Sequence, residues 1–213
     1  MPNLRLTSTL HYTLHKLCAL ALCCALALVS ACAQVYGKNY FPLTDGAKWE
    51  YTGRLTSAAG RQSNINSQFH IDGETLIHGQ RYFKYVVTAD FSGIPGGPKS
   101  HEEVRYYRVA PDGIYFLSGR DIDQPELLEM PLPIPIGMKW LSGTTEVQAE
   151  HAGTIKLGDR EYKDCLKVTY RLADGVRSTV NYLAPDVGIV KVVYENITAP
   201  KSTIELVLEK FNL

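Results

Sequence analysis

Short segments in which apolar and polar residues alternate fill the chain from Ala47 onward, and glycine, proline and aspartate separate them. Successive side chains of a strand point to opposite faces, so a period of two gives each segment one apolar and one polar face. Turn residues recur about every 8–12 residues, which is typical of antiparallel hairpins. The pattern predicts an all-β domain with a single antiparallel curved sheet, a half-barrel or a sandwich.

The segments that show this alternation most clearly are KWEYTGRL (48–55), RYFKYVVTAD (81–90), EEVRYYRVA (102–110), IYFLSG (114–119), DCLKVTYRL (164–172), VRSTVNYL (176–183), GIVKVVYE (188–195) and TIELVLEKF (203–211). No convincing helical period follows residue 31. QPELLEM (124–130) is the one segment for which we expect a short helical turn.

The first 31 residues have the layout of a secretory signal peptide. Arg5 and Lys16 occur without any acidic residue, and an apolar run of 13 residues, LCALALCCALALV, follows them. As a helix this run is about 20 Å long at roughly 1.5 Å per residue, too short for a ~30 Å hydrocarbon core. A basic start, a short apolar centre and small residues at the end predict a signal peptide at 1–31 that is removed.

The end of this segment allows three kinds of processing. Val29-Ser30-Ala31-Cys32 resembles the bacterial lipobox, which implies cleavage before Cys32, lipidation of its thiol and acylation by chains such as palmitate. Ala31-Cys32-Ala33 also fits the A-x-A pattern of plain secretion, and an uncleaved anchor is the third alternative. For a Gram-negative lipoprotein, Ala33 in place of an aspartate after the cysteine implies the outer membrane, facing the periplasm.

Cysteine usage follows from this processing. Cys18, Cys23 and Cys24 leave with the signal peptide, and Cys32 becomes a lipid-bearing thioether. Cys165 is then the one thiol of the mature chain, which excludes an internal disulfide and a zinc site built from cysteines.

The mature chain has the length of one domain. We assign 32–39 to the lipidated cysteine and a tether, and 40–213 to the β domain. The pattern Pro42-x-x-x-Gly46-x-Lys48-Trp49 recurs as Pro133-x-x-x-Gly137-x-Lys139-Trp140. This repeat indicates either a duplication, roughly 40–130 and 131–213, or recurrent hairpin turns in which proline and glycine set the backbone angles.

Charge and motifs restrict the chemistry. The chain has 22 acidic and 22 basic residues, and no clustered basic face indicates nucleic-acid binding. A glycine-rich phosphate loop, a G-x-S-x-G elbow and an H-E-x-x-H motif are missing from the sequence. His101 and Glu103 share a strand face, but two such ligands are a weak metal signal, and solvated side chains explain them. We therefore predict no enzyme activity, no metal and no cofactor.

Two kinds of candidate site remain. Cys165 lies between Lys163 and Lys167, and such neighbours lower the pKa of an accessible thiol, so Cys165 is either a reactive thiol or a small packed residue. Apolar residues of two proline-containing loops form the other candidate, a binding surface. They are Phe91 and Ile94 in DFSGIPGGPKS (90–100), and Leu132, Ile134 and Ile136 in MPLPIPIGMKW (130–140). The second loop can also simply cover the open edge of the sheet.

Three stretches carry a family resemblance: YFPLTDGAKWEYTG, YKDCLKVTY and YLAPDVGIVKVVYE. They resemble those of a broad group of bacterial exported proteins and lipoproteins that begin with Y-[FY]-P-L-x-x-G-x-x-W-x-Y and end with a strand A-P-x-V-G-[IL]-V-K. The resemblance implies a curved antiparallel sheet, loosely similar to the lipoprotein carriers of the outer-membrane sorting system. Those carriers also place helices across the open side of the sheet.

These observations predict a non-enzymatic envelope lipoprotein, held at the membrane by a lipid on Cys32, that binds a partner protein or an envelope component. The alternative is a carrier or sensor of a hydrophobic small molecule or lipid on the concave face of the sheet.

Overall fold

The computed structural model describes residues 38–94, 99–173, 175, 177–196 and 201–213. The predicted signal peptide, the lipidation site Cys32 and residues 33–37 of the tether lie outside these ranges. Within them the chain forms twelve β-strands and no helix. The strands are β1 Lys48–Thr56, β2 Gln62–Ile77, β3 Gln80–Asp90, β4 Ser100–Ala110, β5 Gly113–Ser118, β6 Leu127–Pro131, β7 Lys139–Ser142, β8 Thr145–Leu157, β9 Arg160–Arg171, β10 Arg177–Ala184, β11 Gly188–Asn196 and β12 Ser202–Asn212.

All of these strands belong to one antiparallel sheet in the order β6-β5-β4-β3-β2-β1-β12-β11-β10-β9-β8-β7. Each half of the chain is an up-and-down meander, and the two meanders join where β1 pairs with β12. The sheet curls until β6 and β7 approach each other, which gives a nearly closed barrel. The prediction of a single antiparallel curved sheet is confirmed; the sheet curls into a nearly closed barrel and does not form a sandwich.

A side-chain hydrogen bond crosses the gap between the edge strands β6 and β7. The indole Nε1 of Trp140 on β7 donates to the carbonyl oxygen of Glu129 on β6 at 3.2 Å. The loop that joins the two strands forms a parallel bridge between Ile136 and Ala149. The expected helical turn at 124–130 is wrong, because Leu127–Pro131 is strand β6. Its proline lies at the end of an edge strand, where a missing N–H costs no ladder bond.

Aromatic residues on the inner faces of neighbouring strands form much of the core. Trp49 is opposite Phe69 and Tyr51 is opposite Ser67 in the β1–β2 register. The Tyr51 and Phe69 ring centroids are 4.4 Å apart. Burying an apolar side chain of this size contributes about 1.5–3 kcal/mol, so the inner face dominates the stability of the sheet. Outer-face residues on the same strands, such as Thr52, are exposed.

The segment Asn39–Pro42 closes one end of the barrel. The Tyr40 hydroxyl donates to the carbonyl oxygen of Asp164 at 2.8 Å. The backbone amide of Asp186 donates to the carbonyl oxygen of Asn39 at 2.7 Å. Phe41 enters the barrel and lies 4.9 Å from Tyr107 between ring centroids. The YFPL motif near the mature N-terminus is therefore part of the folded domain and seals its interior at this end.

The two occurrences of the Pro–Gly–Trp pattern have related backbone geometry. Gly46 and Gly137 have φ angles of 78° and 79°. The amide of Gly46 donates to the carbonyl of Ile71 on β2, and that of Gly137 donates to the carbonyl of Ala149 on β8. Each glycine thus precedes the first strand of a meander and bonds to the second. A duplication of roughly 40–130 and 131–213 stays a prediction.

Candidate functional site

A cavity with a volume of about 260 Å³ lies inside the barrel. Its wall combines aromatic rings, among them Phe41, Tyr85 and Phe116, with the charged side chains of Glu103, Arg105 and Glu129. Charged groups inside a protein are costly unless they are paired and hydrogen-bonded. Their presence on this wall marks the cavity as the candidate functional site.

Strand alternation on β4 places Glu103, Arg105 and Tyr107 on the inner face. The Arg105 Nε donates to Glu103 Oε1 at 2.6 Å, and its Nη1 lies 3.4 Å from the Tyr107 hydroxyl. The guanidinium also lies over the ring of Phe116, 5.1 Å from its centroid. Burial opposes its charge, but Tyr107, Glu129 and Glu103 together hold the pKa of Arg105 well above its usual value. Arg105 therefore stays charged, and its charge is compensated within the wall.

A β-bulge positions Glu129. In the β5–β6 ladder Ile114 pairs with Met130 and Tyr115 pairs with Leu128, so Glu129 is the extra residue between them. A bulge of this kind re-aims a side chain, here towards the barrel interior. Glu129 is 4% exposed.

The Glu129 carboxylate has a phenol as its neighbour. The Tyr170 hydroxyl donates to Glu129 Oε1 at 2.6 Å. Burial first, and then the nearby Glu129 carboxylate, raises the pKa of Tyr170 well above its usual value, so the phenol stays a neutral donor. Within the part of the chain that the structure describes, no Lys, Arg or His side chain forms an ion pair with Glu129.

The opposite wall comes from β10 and β11. Thr179 and Asn181 on β10 line the cavity together with Val192 on β11. The side-chain oxygen of Asn181 is buried and accepts no hydrogen bond from the described residues. A buried acceptor without a donor is costly, so this atom favours a hydrogen-bond donor brought by a ligand.

Cys165 is fully buried, with a relative exposure of 0%. Its thiol donates to the carbonyl oxygen of Tyr162 at 3.3 Å. Burial raises the pKa of the Cys165 thiol above its usual value, which disfavours the nucleophilic thiolate. Of the two interpretations from the sequence, the structure favours the packed residue over the reactive one.

The five residues proposed as a binding surface do not come together. Phe91 and Ile94 follow β3 at one end of the barrel, whereas the loop with Leu132, Ile134 and Ile136 follows β6 at the opposite end. Ile134 is buried at 7% exposure, and the other four are half-buried. Pro95–Pro98 of the first loop lie outside the described residues. The second loop connects the two edge strands β6 and β7.

Other surface features are less specific. Two depressions of about 370 and 450 Å³ are larger than the interior cavity but lie among exposed polar residues such as Thr52 and His101. In the described ranges, no three His, Cys, Asp or Glu side chains are grouped so that they could hold a metal ion. The described residues also contain no helix with the length and apolarity needed to cross a membrane.

The charged residues of the cavity wall were not predicted as a site. In EEVRYYRVA both strand faces contain charged residues and tyrosines, so the alternation does not reveal which face is inside. The one usable signal was the placement of Glu103 and Arg105 two residues apart beside Tyr107, which allows an ion pair along one face.

Fold and site together define a class: a nearly closed twelve-stranded antiparallel barrel whose interior contains a cavity with aromatic and charged walls. No protein-family model matches the chain, and no curated protein sequence matches it significantly. Several solved structures are similar in fold.

One of these is a protein from Bacteroides fragilis described as exported and with a YmcC-like fold. It is 14% identical, with a TM-score of 0.46 over 83% of this chain and 100% of that one. A protein from Parabacteroides distasonis described as a lipoprotein is 14% identical, with a TM-score of 0.45 over 82% of this chain and 99% of the other. A LolA superfamily protein from Nitrosomonas europaea is 7% identical, with a TM-score of 0.35 over 86% and 92% of the two chains.

Proposed function

We propose that this chain is a non-enzymatic, lipid-anchored protein of the cell envelope that holds a small ligand inside its barrel. The cavity of about 260 Å³ with Arg105, Glu103 and Glu129 on its wall is the observation that supports a ligand. Cavities that stay empty in proteins are apolar, because polar groups need partners.

The size and lining of the cavity restrict the ligand. Pockets for drug-sized ligands have volumes of roughly 300–1,000 Å³, so this cavity suits a smaller molecule or one end of a longer one. The rings of Phe41, Tyr85 and Phe116 offer apolar contact, and the charged residues offer orientation. This combination favours an amphipathic ligand over a purely hydrophobic one.

The envelope location is proposed from the N-terminal sequence. The signal-peptide layout and the lipobox-like Val29–Cys32 support export and lipidation of Cys32. The alanine at position 33 supports the outer membrane, facing the periplasm, if the cell is Gram-negative. A ligand-binding barrel held there would act as a carrier or sensor in the periplasm.

Binding of a partner protein is the second candidate function. Met138, the residue before edge strand β7, and Leu141 within this strand are each 65% exposed. Exposed apolar side chains next to a strand edge can pack against another protein. This surface is separate from the cavity, so the two candidates can be distinguished.

Native mass spectrometry of the full-length protein, extracted from envelopes in a non-ionic detergent, tests the proposal. We expect wild-type protein to retain a small-molecule adduct. Thr179→Phe, which fills the cavity from β10, should remove the adduct. The neighbouring Val180→Phe places the same ring on the outer face and should retain it.

An adduct that persists in Thr179→Phe, or a wild-type protein without any adduct, would contradict the proposal. Crosslinking in the intact envelope completes the test. A crosslinked protein that is lost in Leu141→Lys but kept in Thr179→Phe would favour the second candidate.

A further inference from the structure

The charges on the cavity wall do not balance. Two carboxylates, Glu103 and Glu129, face one guanidinium, Arg105, among the described lining residues. Arg105 is paired with Glu103 at 2.6 Å and also interacts electrostatically with Glu129. The hydrogen-bond partner of the buried Glu129 carboxylate is the neutral Tyr170 phenol at 2.6 Å. One guanidinium therefore compensates two carboxylates, and a ligand cation would balance the remaining negative charge.

Among the described lining residues, one buried side-chain atom lacks a hydrogen-bond partner, and it is an acceptor. The Asn181 side-chain oxygen is buried without a donor from the described residues. In the β9–β10 ladder Asn181 pairs with Val168, and Thr179 pairs with Tyr170. Asn181 is therefore the diagonal neighbour of Tyr170, whose hydroxyl donates to Glu129. An ammonium group has three donors and no acceptor, which matches an amide oxygen and a carboxylate on one wall.

Aromatic rings supply the rest of the surroundings. Three rings form a contiguous cluster around Tyr107. Its ring centroid lies 4.9 Å from that of Phe41 and 5.4 Å from that of Tyr85. The face of an aromatic ring attracts a cation, and the attraction strengthens where water is excluded. Arg105 already uses the face of Phe116 in this way, at 5.1 Å.

From these three observations we infer that the ligand is a small organic cation, an amine with an apolar or aromatic body, whose ammonium group is held by Glu129 and Asn181. This inference rests on the proposed function and specifies its ligand class. The compensated pair Arg105–Glu103 orients the wall and does not serve as an anion receptor.

Isothermal titration of the full-length protein in non-ionic detergent with three matched probes tests the inference. The probes are phenethylamine, 2-phenylethanol and 3-phenylpropionate, which share a phenylethyl body and differ in the charge of the head group. We expect phenethylamine to bind at least about tenfold more tightly than the alcohol, equivalent to about 1.4 kcal/mol, and the carboxylate to bind most weakly. Glu129→Gln should reduce the preference for the amine over the alcohol to about threefold or less.

Glu150→Gln, an exposed change on β8, is the matched control and should keep the full preference for the amine. Asn181→Leu is a second variant, which removes the unsatisfied acceptor without changing a charge and should also weaken amine binding. The order of the three probes on wild-type protein is informative even if Glu129→Gln fails to fold. Tighter binding of 3-phenylpropionate, equal binding of the three probes, or binding of none would overturn the assignment. The adduct experiment on Thr179→Phe can still succeed in that case, so the two failures are distinguishable.

Discussion

Glu126, the residue before β6, forms a bidentate ion pair with Arg108 on the outer face of the sheet. Arg108 donates to its two carboxylate oxygens at 2.8 Å and 2.6 Å, and the Tyr82 hydroxyl also donates to it. Both charged side chains are more than three-quarters buried, at 22% and 23% exposure. The Arg108 hydrogen bonds, opposed by burial and supported by Tyr82, lower the pKa of Glu126 from its usual 4.5.

We expect Glu126→Gln to lower the free energy of unfolding by about 1–2 kcal/mol at neutral pH. A carboxyl whose pKa is lowered by folding stabilises the protein above its unfolded pKa, and this contribution disappears as the pH falls through the folded value. The difference between wild type and variant should therefore shrink below about pH 4.5. Urea unfolding at neutral pH and at about pH 3 measures it.

Glu161→Gln is the control for this pair. Glu161 forms an ion pair too, with Lys156 at 3.5 Å. This pair is exposed, because the side chain of Glu161 is 43% exposed and that of Lys156 is 75% exposed. An exposed pair of this kind contributes about 0–1 kcal/mol. Equal losses in the two variants, or a loss at Glu126 that does not depend on pH, would contradict the assignment.

Cys165 shows why a single residue could be misplaced from the sequence. Strict alternation puts its side chain beside those of Lys163 and Lys167. The β8–β9 register shifts on both sides of the Gly153–Cys165 pair, and Asp164 has a positive φ of 54°. The bulge turns Cys165 inward next to Leu166, so both residues are fully buried. A sequence pattern with a period of two contains no signal for such an interruption.

At the scale of the strands, Gly53 sets how closely β1 and β12 approach. A Cβ atom at this position would lie 1.9 Å from the carbonyl oxygen of Glu205 and 2.8 Å from a methyl of Leu206. The Glu205 carbonyl oxygen belongs to the backbone pairing that joins the two meanders, so it cannot move without disturbing that pairing. We expect Gly53→Ala to lower the free energy of unfolding by about 3 kcal/mol, at the upper end for overpacking.

Denaturant unfolding compared with Thr52→Ala checks this expectation. Thr52 is the adjacent residue of β1 but faces solvent, so its truncation should cost about 0.5 kcal/mol or less. If the two variants unfolded at the same denaturant concentration, the close approach of β1 and β12 would not limit this position.

The strands that the sequence identified were those with a continuous apolar face, for example β3 and β12. The long strands β2 and β8 were not identified. Both contain a glycine with a positive φ, Gly73 at 77° and Gly153 at 68°, where the ladder register shifts. The bulges break the period of two, and polar side chains occupy much of the remaining length. Local pattern therefore predicts regular strands and misses bulged ones.

At the scale of the whole molecule, the all-β class and the single sheet were predictable, but the cavity was not. Closure of the barrel requires the approach of β6 and β7 and also the pairing that joins the two meanders, β1 with β12, whose partners such as Trp49 and Phe211 are far apart in sequence. Only when the barrel closes does one face of β4 line its interior cavity. The same Glu103 and Arg105 on an open sheet would be ordinary solvated residues.

Attachment to the membrane is the last property of the whole chain, and it depends on Cys32. A single acyl chain gives marginal membrane binding, whereas more than one chain gives stable anchoring at about 0.8 kcal/mol per buried methylene. A cysteine acylated on its thiol and its amino group meets this condition. We expect Cys32→Ala to move the protein from the membrane fraction to the soluble envelope fraction and to abolish labelling with radioactive palmitate.

Cys24→Ala changes the same residue type inside the apolar run and should leave both anchoring and labelling intact, since that residue is removed with the signal peptide. Unchanged membrane retention of Cys32→Ala would contradict lipid anchoring. Retention combined with an uncut N-terminus and no palmitate label would instead identify the apolar run 17–29 as the anchor, because that run would then remain attached to the barrel.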